Sequence, residues 1–153
     1  MVGRGGAGKS TTSFACSGRG LRLLGDDYCI VDPTTPVPTV HATYVLGMLD
    51  DNSLSMLPHL RSAVIADAPK GKRVLALDAL DDTLSAPVVA ACTVVRAPGE
   101  TTRLVPVSRM SVLRGLAPST QVQIPGLAEE TFAATSAVVR RITTYELRVG
   151  DLQ

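Results

Sequence analysis

The sequence predicts a single α/β domain with a phosphate-binding loop and a mixed sheet. A glycine-rich loop with a lysine, residues 3–10, leads directly into a helix-like segment. Residues 74–77 and 88–95 are almost continuously apolar runs of strand length, typical of strands covered on both faces. A helical pattern at residues 127–142 is followed by a strand pattern at residues 145–149. A chain of 153 residues can bury its own core, so we predict one P-loop domain over residues 1–153.

Composition excludes several classes of partner and location. The net charge is +1, which predicts neither a nucleic-acid partner nor an anionic membrane surface. No signal peptide is visible, and the longest apolar run, residues 86–95, is too short to span a bilayer. The three cysteines are widely spaced without metal-ligand spacing, as expected for reduced thiols. We therefore predict a cytoplasmic protein that binds neither nucleic acid nor membrane.

In the first half of the chain, some segments have a clear secondary-structure pattern and others do not. Residues 10–17 predict a short helix, which two nearby glycines end. An apolar run then leads to an acidic pair, and residues 28–31 predict a strand. Prolines in residues 32–38 predict a turn and an extended connection. Residues 43–65 give no clear pattern, because helix-like stretches are broken by an asparagine and a proline.

The second half predicts a hairpin, two helices and a closing strand. Residues 102–107 are expected to pair with the strand at residues 88–95 across a Pro-Gly turn. Ser108 is placed to cap a helix that runs to about Leu116. The helix at residues 127–142 has apolar and small side chains along one face, namely Ala128, Phe132, Thr135, Val139 and Ile142.

The phosphate-binding loop is the strongest signal in the chain. Residues 3–10, GRGGAGKS, match GxxxxGK[ST] at every fixed position. Glycines let backbone N–H groups turn toward a phosphate, and the following helix directs its positive end at the same anion. Lys9 would contact the outer phosphates, and the Ser10 hydroxyl would bind Mg²⁺. The residues expected to bind ATP are Gly3, Arg4, Gly5, Gly6, Ala7, Gly8, Lys9, Ser10 and Thr11.

Two places could supply the carboxylate that works beside magnesium. Asp26 and Asp27 end the apolar run after the first helix, whereas Asp78 ends the run at residues 74–77, as in a Walker B strand. Neighbouring carboxylates suit phosphoryl transfer, because one can hold Mg²⁺ while the other accepts a hydroxyl proton. We favour this pair, with a solvated Gly-Asp-Asp turn as the alternative. Arg73 is either a cationic clamp on the phosphate or part of a solvated basic turn.

The spacing of these motifs resembles the HPr kinase/phosphorylase family and its shorter relatives. The phosphate loop is followed by Arg19-Gly20 and then by Asp26-Asp27, seventeen residues after Lys9. The closing ITTYELRVG, residues 142–150, is also similar to the terminal strand of that group, while the middle of the chain matches only in the order of its elements. The family's glycine-rich segment linked to phosphorylase activity is missing, so the shorter HPr-kinase-like proteins are the better comparison.

The resemblance implies a fold and a set of roles. It implies a P-loop fold of the phosphoenolpyruvate-carboxykinase type and ATP-dependent phosphorylation of a hydroxyl. Asp26 would be the general base, and Lys9 would be the second catalytic residue, holding the β- and γ-phosphates. Asp27 would be the second metal ligand beside Ser10.

These patterns together predict an ATP- and Mg²⁺-dependent phosphotransferase. Its partner would be a phosphoryl acceptor, either a Ser/Thr hydroxyl of a protein or peptide or a small alcohol, and homo-oligomerisation stays open. The alternatives are a nucleotide-binding switch or ATP-binding module without an acceptor, and a non-catalytic fragment. The fragment is considered because only Met1 and Val2 precede the loop, where P-loops normally follow a buried strand. We therefore expect the domain to lack that strand, and a chain extended upstream to be more stable.

Overall fold

The protein is a mixed α/β structure, in agreement with the predicted class. The computed structural model describes residues 1–44, 46–76, 84–120 and 123–150. Its α-helices are α1 (Lys9–Ser17), α2 (Asp51–Met56), α3 (Arg109–Thr120) and α4 (Ala128–Arg140), and 3-10 helices cover Pro58–Ala63 and Pro69–Gly71. Its strands are β1 (Cys29–Asp32), β2 (Thr39–Ala42), β3 (Leu46–Asp50), β4 (Val64–Ala68), β5 (Lys72–Ala76), β6 (Ser85–Pro87), β7 (Ala90–Arg96), β8 (Arg103–Pro106) and β9 (Thr143–Val149). The Asp78 candidate lies outside the described residues. No helix in the described part of the chain is both long and apolar enough to cross a membrane.

The chain forms two compact units. The first unit consists of Met1–Lys9, Pro33–Thr39 and Pro87–Gln153, and the second consists of Ser10–Asp32 and Val40–Ala86. The first contains the mixed sheet β7-β9-β8, and the second contains the antiparallel sheet β3-β5-β4. A third sheet, β1-β2-β6, lies almost wholly in the second unit. Residues 3–9 therefore belong to the first unit, and Ser10 and the acidic pair belong to the second.

The sheet of the first unit corrects the predicted hairpin. β7 pairs in parallel with β9 over seven residues, from Ala90 with Thr143 to Arg96 with Val149. β8 pairs antiparallel with the other edge of β9 and not with β7. The seven-residue match between β7 and β9 forms a longer ladder than four-residue β8 offers. The segment between β7 and β8 is long enough to cross one intervening strand, which leaves room for β9 between them.

The helices of the first unit confirm one prediction and correct another. The Ser108 side chain caps α3, since its Oγ accepts a hydrogen bond from the Ser111 N–H at 3.3 Å, and α3 continues beyond the expected end to Thr120. On α4, Val139 is buried, and Ile142 beyond the helix end is buried as well. Phe132, however, is 47% exposed, because the buried stripe runs one position away from it.

The second unit has its core on one face of the β3-β5 pair. Phe14 of α1 and Leu75 of β5 are fully buried, and both belong to a cluster completed by Leu49, Leu54 and Leu57. β5 was expected to be covered on both faces, but Leu75 is its only fully buried residue. Side chains alternate between the faces of a strand, so Gly47 and Leu49 of β3 face this core.

Candidate active site

The loop at residues 3–10 has left-handed glycines and a closed turn. Gly6 and Gly8 have φ angles of 77° and 90°, in the left-handed region that favours glycine. The Ala7 N–H donates to the Arg4 carbonyl at 3.4 Å, which closes a turn. The Lys9 ammonium donates to the same carbonyl at 2.9 Å and is exposed. The cation is therefore held at the loop itself. Apart from the residues next to each glycine in the chain, no atom of the described residues lies within 4 Å of a Cβ built at Gly6 or Gly8.

The residues that enter the loop are held between a strand and a helix. The Val2 N–H donates to the Cys92 carbonyl at 2.8 Å, and Val2 pairs in parallel with Thr93 of β7. α3 approaches closely at Gly115, where an added Cβ would lie 3.1 Å from the Thr93 methyl and 3.5 Å from a Val2 methyl. The residue before the loop thus has strand pairing, and its position is fixed by the close packing of α3.

The helix that leaves the loop is anchored in the second unit. Phe14 fills the core over Gly47, and the Thr11 hydroxyl hydrogen-bonds to the Ser53 hydroxyl of α2 at 2.8 Å. The Ser53 N–H in turn donates to the Asp50 carboxylate, which caps α2. The Thr11 side chain, expected at the nucleotide, is therefore directed to α2. These contacts fix the position of α1, whose first turn carries Ser10.

The acidic turn is attached to the start of β3. The Met48 N–H donates to Oδ2 of Asp26 at 3.0 Å, so this carboxylate has a defined orientation. The Thr43 hydroxyl donates to the Tyr28 carbonyl at 2.8 Å and holds the following residues against the same segment. Asp27 is exposed. One carboxylate of the pair is thus oriented by the backbone, and the other faces solvent.

The acidic pair borders a small pocket with apolar walls. Asp26 and Asp27 line it together with Tyr44, Leu46, Gly47, Met48 and Val74, and its volume is about 180 Å³. Burial raises the pKa of the Tyr44 phenol, and the negative charges of Asp27 and Asp26 raise it further, while a backbone hydrogen bond from Tyr28 partly offsets this. Tyr44 therefore stays a neutral phenol beside the two carboxylates at physiological pH.

Arg73 is committed to an ion-pair cluster on the second unit. Its Nε donates to Oδ1 of Asp51 at 2.8 Å, and a second guanidinium nitrogen donates to Asp67. These hydrogen bonds raise the pKa of Arg73, and the one to Asp51 lowers the pKa of that carboxyl. The Arg73 guanidinium is thus paired with two carboxylates, which favours a structural role in this ion-pair cluster over contact with a phosphate.

The donor chemistry of two residues fits Mg²⁺. The Ser10 hydroxyl and the Asp27 carboxylate are hard oxygen ligands, and both belong to the second unit. Magnesium in nucleotide sites keeps waters and phosphate oxygens as its other ligands, so one or two protein donors suffice. In the residues that the structure describes, no group of three His, Cys, Asp or Glu side chains could hold a metal.

The residues that complete the pocket were missed by sequence reasoning. Tyr44, Leu46, Met48 and Val74 belong to, or pair with, the segment that gave no clear pattern. One signal was present, since a glycine inside a strand, here Gly47, often marks the close approach of another group.

Comparison of the chain with protein-family models, curated proteins and solved structures gave no match.

Proposed function

We propose that the protein is an ATP- and Mg²⁺-dependent phosphotransferase that phosphorylates a hydroxyl, with a P-loop fold of the HPr-kinase type. The observation that carries the proposal is the loop: three of its four glycines, Gly3, Gly6 and Gly8, have positive φ angles, and the Lys9 ammonium lies against the Arg4 carbonyl. A loop of this sequence and geometry, continuing into a helix, is suited to the phosphates of a nucleotide. The acidic pair adds a base, which distinguishes transfer from nucleotide binding alone.

In this proposal Asp26 accepts the proton of the acceptor hydroxyl. The hydroxyl oxygen forms a bond to the γ-phosphorus, and the bond from that phosphorus to the β,γ-bridging oxygen breaks. Its electron pair stays on the ADP product, and the proton passes to the Asp26 carboxylate. The Met48 N–H holds Oδ2 of this carboxylate, which leaves Oδ1 to face the hydroxyl.

The remaining residues stabilise charge. Lys9 is placed to neutralise the outer phosphates as they gain charge, in the manner of P-loop lysines. Ser10 and Asp27 would hold Mg²⁺, which, when bound, offsets the negative charge of the β- and γ-phosphates.

The test compares nucleotide binding with transfer in three variants. ATP affinity is measured by titration, and transfer is measured with γ-labelled ATP, Mg²⁺ and a panel of Ser/Thr peptides and small alcohols. We expect Asp26→Asn to bind ATP normally and to lose about 10²–10⁴-fold in transfer. Lys9→Ala should lose ATP binding as well. Glu129→Gln, which removes an exposed carboxylate on α4, is the control and should behave as wild type.

Two results would contradict the proposal. ATP binding without labelling of any acceptor that depends on Asp26 would favour a nucleotide-binding switch. Equal ATP affinity for wild type and Lys9→Ala would show that the loop does not hold the phosphates.

A further inference from the structure

The face of the β3-β5 pair that lies opposite the core is apolar over one part, next to the charged pair of Asp50 and Lys72 on the same side. Gly47 faces the Phe14 ring, so its neighbours Leu46 and Met48 point to the other side. Met48 pairs with Val74 in the antiparallel register, which puts Val74 on that same side. These three side chains line the pocket beside the acidic pair. One face of the sheet therefore serves the core, and the other forms the floor of a site.

The lining of the pocket selects against two classes of ligand. Two carboxylates at its edge repel anions, so an acceptor that already carries a phosphate or carboxylate is disfavoured. The floor side chains Leu46, Met48 and Val74 cannot hydrogen-bond, and the polar side chains of the lining are those of Asp26, Asp27 and Tyr44. A polyol that lay over the floor would therefore leave hydroxyls without partners there and would lose binding energy. An otherwise apolar ligand with a single hydroxyl directed at Asp26 is not repelled by the carboxylates and leaves no hydroxyl without a hydrogen-bond partner.

The pocket volume limits the size of the apolar part. A cavity of about 150 Å³ lined by aliphatic side chains binds benzene. The pocket here measures about 180 Å³ and is open on one side. It therefore has room for one aromatic ring or a branched aliphatic group of similar size.

We propose that this pocket is the acceptor subsite and that it takes a neutral alcohol whose hydroxyl is carried by a compact apolar group of about the size of a benzene ring. The inference rests on the proposed function, because Asp26 is the group that receives the hydroxyl proton. The apolar group packs on Leu46, Met48 and Val74, and this places the hydroxyl at the acidic edge. The phosphate ester forms at that oxygen, with ADP as the leaving group.

Binding is tested separately from transfer, with benzyl alcohol as the probe. Methyl resonances of Leu46, Met48 and Val74 are followed by NMR as benzyl alcohol is added to the full chain. We expect saturable shifts at all three residues. Glycerol and glycerol 3-phosphate, added over the same concentration range, should cause no saturable shift.

Two variants and a control keep the binding test specific. Val74→Phe fills the pocket, and Leu46→Ser removes part of its wall at a residue that is already 38% exposed. Each should weaken benzyl alcohol binding by about tenfold or more. Ile65→Phe, an exposed position on β4 that does not line the pocket, is the control and should bind as wild type. Thermal unfolding of each variant checks that it is folded.

The outcomes separate this inference from the proposed function. Saturable binding of benzyl alcohol without Asp26-dependent transfer to any alcohol supports the pocket's ligand class and contradicts the kinase proposal. Asp26-dependent transfer to glycerol or a serine peptide, with benzyl alcohol neither bound nor phosphorylated, overturns the inference and supports the kinase. Saturable binding of benzylamine but not of benzyl alcohol would assign the pocket to an organic cation and would also overturn it.

Discussion

Gly47 has no room for a side chain, because the Phe14 ring lies directly over its Cα. A Cβ added at Gly47 would lie 2.2 Å from Cζ of Phe14 and 2.9 Å from Cε2. Carbon atoms in ordinary contact are about 3.5–4.0 Å apart, so Gly47→Ala would require the ring to move by about 1.3 Å or more. Phe14 is fully buried among four leucines, so the movement must displace the core.

The cost of this substitution should be that of overpacking a core, about 1–3 kcal/mol in the free energy of unfolding. For a chain of this size each kcal/mol corresponds to about 2–4 °C in Tm, so we expect a decrease of about 2–12 °C. The assay is urea unfolding followed by circular dichroism, supported by a thermal scan. Gly25→Ala is the matched control, since its Cβ would lie 3.6 Å from the nearest atom. This variant should change the unfolding free energy by less than about 0.5 kcal/mol.

A double-mutant cycle tests the cause. Replacing the ring by Phe14→Leu should relieve part of the Gly47→Ala penalty, so the two substitutions should be coupled by about 0.5–3 kcal/mol. Additive effects, or a Gly47→Ala variant as stable as wild type, would refute the argument from Phe14 packing.

Two further predictions concern the acidic start of α2. Asp50→Ala removes the cap that accepts the Ser53 N–H at 2.7 Å and should cost about 0.5–2 kcal/mol in urea unfolding, whereas Asp50→Asn keeps an acceptor and should cost less. Equal losses in both variants would argue against the cap. The pKa of Asp51 is lowered chiefly by its hydrogen bond from Arg73. The stabilisation of the folded state by this pair is therefore complete above the unfolded-state pKa of Asp51 and is lost as the pH falls through its lower folded-state pKa. Between about pH 5 and pH 2 the wild type should therefore lose slightly more stability than Arg73→Gln, since the pair is exposed, and parallel curves would contradict this.

Patterns in the sequence were sufficient to predict α1, the start of α3 and most of β9. Residues 10–17 predict α1 to within one residue, because the helix starts at a motif and stops at glycines. Ser108 predicts the start of α3 through its hydroxyl cap. The strand expected at residues 145–149 forms as β9, two residues longer at its start. For the two helices the determining interaction lies within a few residues along the chain.

The predictions that failed depend on contacts between distant residues. The strand at residues 102–107 forms, but its partner is β9, which no local turn signal could reveal. Phe132 has the spacing predicted for the buried face of α4, yet it is 47% exposed, whereas the helix buries Ser136 beside Val139 of the predicted face. The pocket beside Asp26 depends on the pairing of β3 with β5, and the residues of β3 have no recognisable strand pattern.

The central position of β9 has a consequence for the order of folding during synthesis. β7 and β8 are made before residues 143–149, and both of their ladders in this sheet run through β9. Until those residues leave the ribosome, β7 and β8 each carry an edge that has no partner in the sheet. Pairing between residues 90 and 143 is also non-local, which slows folding. The nascent chain therefore presents exposed strand edges, at which aggregation can start, until β9 has been made.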